Sequence, residues 1–374
     1  MATAIEWVRR LIKPWVTRMK HKKRVLCAVL LVAFAGAIVG LVWAAHHSTS
    51  WGAERGFRGK PEHFWVTNVS YWPGDAEIKQ WQEFGPEGVG VLIRGLEGAN
   101  HPRERAYRRI YRQVAPRLPG ALVRVLPDPK LDATRATRMC LLSMLSRLGT
   151  NATIAEPMVA RALSDEDASV RQLAITFYTS GEDKHALLNQ LDAREKARLL
   201  PHFIHALLDQ ANGNWGLRNN AAIALRYYPE HRQTVVPALV AALNDPVPTV
   251  RLMVAEALNQ IDPHTSRRVG AVSVVIPILK EPDDQVAYRA AELLGKMKNE
   301  AELAAPALIE ALENTNELVA CSAVWALQNG GQFKPYGKTI APALTRAAQR
   351  KDKVAGYAKS ALKRFEPFPQ PASH

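Results

Sequence analysis

The chain is poor in the residues from which covalent or metal-bound frameworks are made. Three cysteines, Cys27, Cys140 and Cys321, are spread over 374 residues with no pair at metal-ligand spacing. That excludes a disulfide-stapled domain and a cysteine-ligated zinc site. Catalytic signatures are lacking too: there is no GxSxG, no HExxH, no P-loop, and no GxGxxG following a strand. No segment alternates apolar and polar residues long enough to be predicted as a strand. At 47% hydrophobic and 22% charged residues the composition also excludes a disordered chain.

Long apolar runs are absent but for one. Val25 to Ala45 carries no charge, and at about 1.5 Å per residue a helix of that length spans about the hydrocarbon core of a bilayer. It is predicted to be a transmembrane helix, with Trp43 near its outer end as an interfacial anchor. The net charge is +14, and half of it lies in the 24 residues before this run. Arg18, Lys20, Lys22, Lys23 and Arg24 crowd its inner end, whereas Arg55, Arg58 and Lys60 are the nearest bases beyond it. The bias predicts a cytoplasmic N-terminus and an extracytoplasmic bulk. A cleaved signal peptide ending at Ala44-Ala45 is the alternative, but signal cores are shorter. The basic tail 1–24 reads equally as an interfacial helix or as a stop that only fixes topology.

What is abundant is a repeat. Pro237 to Leu243, Asp245, Val250-Arg251, Ala255, Ala257 and Leu258 form its clearest copy. Pro157 to Leu163 with Asp165 and Val170-Arg171 repeats it, as does Pro201 to Leu207 with Asp209 and Leu217-Arg218. Pro306 to Leu312 with Asn314 and Val319, and Pro342 with Val354, continue it. The second helices are predicted to begin near 137, 170, 217, 250, 286, 319 and 354. Such a period signals a solenoid of helix pairs, A then B. Proline is placed at the first turn of helix A, and the turn Asp or Asn at the cap of helix B.

These motifs resemble the HEAT repeat family, in the bacterial form called PBS-lyase HEAT-like repeats, over about 280 of the 374 residues in about eight repeats. The resemblance implies an all-α solenoid whose B helices line a concave surface. It further implies a ladder between the turn Asp and the helix-B Arg of adjacent repeats, with Asp165, Arg171, Asp209, Arg218, Asp245 and Arg251 in that role. Ala287, Ala320 and Ala355 stand where later arginines would, which interrupts the ladder beyond residue 260. The organisation expected is a basic tail 1–24, an anchor 25–45, an aromatic-rich capping segment 46–85, the solenoid 86–365 and a Pro-rich tail 366–374.

Candidate chemistry is sparse. His202 and His205 share one helix face without a third ligand at useful local spacing, so packing or surface use is expected. His46-His47 reads as a solvated pair, and Asp283-Asp284 as turn acids. Asn68 and Asn151 begin formal glycosylation acceptors. Arg105, Arg108, Arg109 and Arg112 fall on one side of a helix and are the candidate partner-binding residues; a solvated arginine face opposite Tyr107 and Ile110 and a contact with lipid head groups are the alternatives. The expectation is a membrane-anchored, non-enzymatic scaffold that binds a protein or peptide on its concave surface, with no cofactor or metal. Two rivals are a lyase or isomerase acting on a bilin, implied only by the family name, and nucleic-acid binding, which the extracytoplasmic placement disfavours.

Overall fold

A hairpin of two-residue strands opens the described part of the chain. The computed structural model describes residues 55–99, 111, 113, 115–117, 131–180, 186–211, 213–297 and 300–365. The predicted anchor 25–45, the basic tail, His46-His47 and the Pro-rich tail lie outside them. Among the described residues no helix is long and apolar enough to cross a membrane. The chain divides into two units, residues 1–69 with 94–138, and residues 70–93 with 139–374.

In the first unit β1 (Gly56–Phe57) pairs antiparallel with β2 (Lys60–Pro61). The two-residue loop needs positive φ at both positions, and Arg58 (49°) and Gly59 (76°) supply it. Strands this short carry no alternation, which is why the sequence shows no strand there. Helix α1 (Glu62–Thr67) follows, and its Trp65 Nε1 donates to the Phe57 carbonyl at 2.8 Å while the two rings meet edge to face. Glu62 takes a bidentate pair from Arg94, at 2.7 and 3.0 Å.

Helix α2 (Asp75–Ala99) is bent at Gly85, whose φ of 59° no ordinary side chain favours, and Pro86 after it has no N–H to continue the ladder. The aromatics of 46–85 also divide: Phe57, Phe64 and Trp65 gather at the hairpin, whereas Tyr71, Trp72, Trp81 and Phe84 belong to the second unit. There the Tyr71 carbonyl accepts from Ser143 at 2.7 Å, on α3 (Leu131–Leu148).

The rest of the second unit is a stack of helix pairs. The A helices are α4 (Glu156–Ala162), α6 (Ala193–Leu208) and α8 (Arg232–Ala242). Their B partners are α5 (Ala168–Thr179), α7 (Trp215–Leu225) and α9 (Pro248–Ile261). Short helices α10 (Pro263–Arg268) and α11 (Ala271–Val275) lead into the B helix α12 (Asp284–Lys296). The pairs α13 (Ala301–Ala311) with α14 (Glu317–Asn329), and α15 (Gly337–Ala347) with α16 (Lys353–Phe365), complete the stack. Each A helix of a pair packs on its own B helix, and each B helix on the next B helix, from α5 through α7, α9, α12 and α14 to α16. Alanines make this close approach possible: Ala222, Ala255, Ala290, Ala323 and Ala358 are fully enclosed. On α16 the buried residues are Val354, Ala358, Ala361 and Phe365, one stripe at helical spacing.

Two local expectations are corrected. Proline sits at the first turn of helix A only in α4; Pro201, Pro237, Pro306 and Pro342 lie inside their helices. The A helices begin further upstream, and the missing proline N–H falls mid-helix, where it removes one backbone bond. The turn Asp is likewise not the cap. Asp165 and Asp245 accept the backbone N–H two residues on, at 2.9 Å each, making the turn itself. The cap of α5 is Asp167, that of α12 is Asp283 and that of α14 is Asn316.

Candidate functional site

The four candidate arginines, Arg105, Arg108, Arg109 and Arg112, lie outside the described residues. The ladder residues lie within them, and the guanidinium groups of Arg171 and Arg218 each reach both their own turn and the next. Arg171 on α5 donates through Nη1 to the Asp165 carbonyl at 2.7 Å and through Nη2 to the Asp209 carboxylate at 2.5 Å. Arg218 on α7 forks onto Asp245, Nε at 2.6 Å and Nη2 at 3.1 Å, with side chains 2% and 0% exposed. Arg251 on α9 donates to the Asp245 and Pro246 carbonyls and has no carboxylate partner among the described residues. The carboxylate partner is therefore the Asp one repeat ahead, and the Asp behind contributes its carbonyl.

Burial pushes the Asp245 carboxyl up, but the Arg218 fork and the Val247 N–H outweigh it and hold the group below the usual carboxylate range. Beyond Arg251 different side chains take over. Asn316 Nδ2 donates to Asp284, and Arg350 reaches back to the Leu312 and Asn314 carbonyls at 2.8 and 2.9 Å while pairing with Asp352. Ala287 and Ala320 are buried in the helix contacts, where the motif would put arginine. Apart from Arg171 Nε, which is buried without a hydrogen-bond partner, these groups are bonded within the fold, an arrangement that ties repeats together.

A groove of about 1330 Å³ runs beside the Arg171–Asp209 pair. Leu163, Pro201, Ile204 and Leu208 give it an apolar wall, and His202, His205 and His231 line its edge. Ser164 Oγ stands 3.4 Å from His202 Nδ1. Burial, with His205 and Arg198 alongside, lowers the His202 imidazole from its ordinary value and keeps it neutral at pH 7. Among the described residues no three His, Cys, Asp or Glu groups come together to hold a metal ion. Burial raises the thiols of Cys140 and Cys321, which disfavours the reactive thiolate.

The B helices leave one face uncovered by A helices or by each other. Two sets of equivalent positions lie along it: Asn220 on α7, Arg289 on α12 and Tyr357 on α16 in one, and Ile223 on α7, Glu256 on α9 and Trp325 on α14 in the other. Glu256 lies 3.8 Å from Arg226 and 3.9 Å from Arg289, a chain of charges running from helix to helix. Further along, Leu318, Trp325 and Tyr357 are 40%, 45% and 55% exposed. Sequence reasoning missed these three. The signal was present: they sit between the buried positions of their helices, where the earlier repeats hold mostly polar residues.

A family profile described as HEAT repeats matches residues 200–269 and 272–363. No curated protein matches the chain. Among solved structures, an engineered protein superposes with a TM-score of 0.52 at 20% identity, over 91% of each chain. A designed armadillo repeat protein gives a TM-score of 0.42 at 20% identity, covering 56% of this chain and 99% of its own. The archaeal HEAT-like repeats protein from Thermococcus onnurineus gives 0.39 at 17% identity, covering 60% and 92%. The profile supports the HEAT reading of the repeats; at these identities the structures speak to fold alone.

Proposed function

We propose that the chain is a membrane-tethered, non-enzymatic scaffold that binds a protein or peptide partner along the concave face of its B helices. The observation that carries the binding role is the set of exposed large apolar side chains, Leu318, Trp325 and Tyr357, on that face. Exposed apolar side chains beside unpaired charge, here Tyr357 with Lys353 on one helix face, are the usual mark of an interaction site. The tether is residues 25–45, and the basic residues before it favour an N-terminus in the cytoplasm with the repeats outside. The arginines Arg105, Arg108, Arg109 and Arg112 extend the same role toward the membrane-proximal end. The finer kinship with PBS-lyase repeats rests on the repeat motif alone and adds no chromophore chemistry.

Protease treatment of intact cells or spheroplasts expressing the full chain with a C-terminal tag tests the placement, and a photoreactive residue at Ile223 in the same preparation tests the binding face. The tag is expected to be lost from outside, and position 223 to capture an exported protein. Protection of the tag until the membrane is breached, or capture of nucleic acid at position 223, would overturn the proposal and favour a cytoplasmic, polyanion-binding role.

A further inference from the structure

The positive charge of the repeats is gathered at one end of the stack. Residues 25–330 hold equal numbers of acidic and basic side chains, whereas residues 331–365 hold Asp352 as their one acid against an excess of Lys and Arg. The preceding pair, α13 with α14, has four acids, Glu302, Glu310, Glu313 and Glu317, and no base.

The arginines of this last pair are occupied within the fold. Arg346 meets Glu313 at 3.4 Å, Arg350 holds Asp352 and the α13–α14 turn, and Arg364 donates to the Gln328 carbonyl at 3.0 Å. The lysines are not. Lys338, Lys351, Lys353, Lys359 and Lys363 are exposed and have no ion-pair partner among the described residues. Helix stability does not account for them. Lys351 and Lys353 flank the N-terminal end of α16, where the helix dipole disfavours cations, and Lys359 with Lys363 is a like-charge pair four residues apart. Only Lys363 and Arg364, in the last turn, suit the dipole.

Lys353 and Tyr357 fall on one face of α16, at i and i+4, and α14, which packs against α16, carries the exposed Leu318 and Trp325 at i and i+7. We infer that the inner face of the last two helix pairs binds an acidic segment of the partner protein, one that carries apolar side chains between its carboxylates. Trp325, Tyr357 and Leu318 take the apolar side chains, Lys353 meets a carboxylate directly, and the remaining lysines attract the segment from a distance. A phosphate polymer fits less well, because the guanidinium forks that would grip phosphate are engaged within the fold. This inference rests on the proposal that the B-helix face is the binding face.

The test is site-specific photocrosslinking in cells from Tyr357, and separately from Ile223, in the full-length chain, with the captured segment sequenced by mass spectrometry. Position 357 is expected to capture a segment rich in Asp and Glu. The adduct should fall about tenfold in Lys353→Glu/Lys359→Glu and persist in Lys353→Arg/Lys359→Arg, because a local charge reversal acts through encounter and contact alike. Both substitutions are on exposed positions, and circular dichroism checks that the fold is kept. Capture at 357 of a neutral or basic segment, of nucleic acid or of lipid, or an adduct indifferent to the charge reversal, overturns the inference. Silence at 357 with capture at 223 overturns it while leaving the scaffold reading standing; silence at both removes the scaffold reading as well.

Discussion

Arg218 and Asp245 are the most enclosed charges of the repeats, and their value to the fold lies in being together. Truncating Asp245→Ala leaves a guanidinium 2% exposed with its main partner gone. Breaking such a buried pair costs about 3–5 kcal/mol, whereas replacing both members by apolar residues of similar size is close to neutral. Asp245→Ala is therefore expected to lower the melting temperature by about 10 °C, at about 2–4 °C per kcal/mol. The double variant Arg218→Met/Asp245→Leu should recover most of that loss in the same thermal melt. Equal losses in single and double variants would place the cost in the turn that Asp245 makes with Val247 rather than in the stranded charge. The residue types of this ladder could be read from the repeat, because Asp and Arg recur at fixed offsets. The pairing could not: a 33-residue period says which residues are equivalent and not which equivalent each guanidinium meets. Nor could the takeover by Arg350 and by Asn316 with Asp284 be read, since Arg350 stands outside the motif position.

At the scale of helices, packing distance is the controlling quantity, and Gly295 shows how tightly it is set. It lies on α12 against α14, where a Cβ would come within 2.8 Å of the Ala326 Cβ and 2.9 Å of its Cα. Backbone stands on the far side, so relief requires the two helices to separate, and the Gln332 Nε2 bond to the Gly295 carbonyl, at 2.9 Å, moves with them. Gly295→Ala is expected to destabilise the protein by about 1–3 kcal/mol in a denaturant melt, although alanine favours the isolated helix. A neutral or stabilising result would mean that α12 and α14 slide apart at no cost. Helix existence was legible throughout the described repeats because the apolar stripe is a period property. Helix starts were less so: proline is an N-terminal signal in a sequence, yet Pro201, Pro237, Pro306 and Pro342 sit inside helices that start upstream of them. Tertiary contacts along the rest of each A helix hold it through the missing bond. The hairpin Gly56–Pro61 escaped notice for another reason, as two residues are too few to show a period.

Across the repeat unit, contacts run between neighbours, α5 on α7, α7 on α9, and so on to α16, so stability is a sum of local terms. That makes a prediction about how damage spreads. Hydrogen exchange on the Gly295→Ala variant should show lost protection in residues 284–329, with α5 and α7 near their wild-type rates, because no helix of that early pair touches the strained contact. In the unmodified protein α16 should exchange faster than α9, since among the described residues α16 packs on one B helix and α9 on two. Uniform loss of protection from residue 168 to 365 would show instead that the stack opens as one cooperative body. The same neighbour logic explains why fold and function differed in legibility. A fold made of near-identical contacts announces itself by repetition, whereas the candidate binding face is marked by departures from it. Trp325 and Tyr357 have no counterpart in the earlier repeats, and the lysines of the last pair stand out only when charge is summed pair by pair. If binding depends on those departures, replacing Trp325 and Tyr357 by the polar residues of equivalent earlier positions, Trp325→Thr with Tyr357→Asn, should leave the melt unchanged and abolish capture from position 357's neighbours on α16.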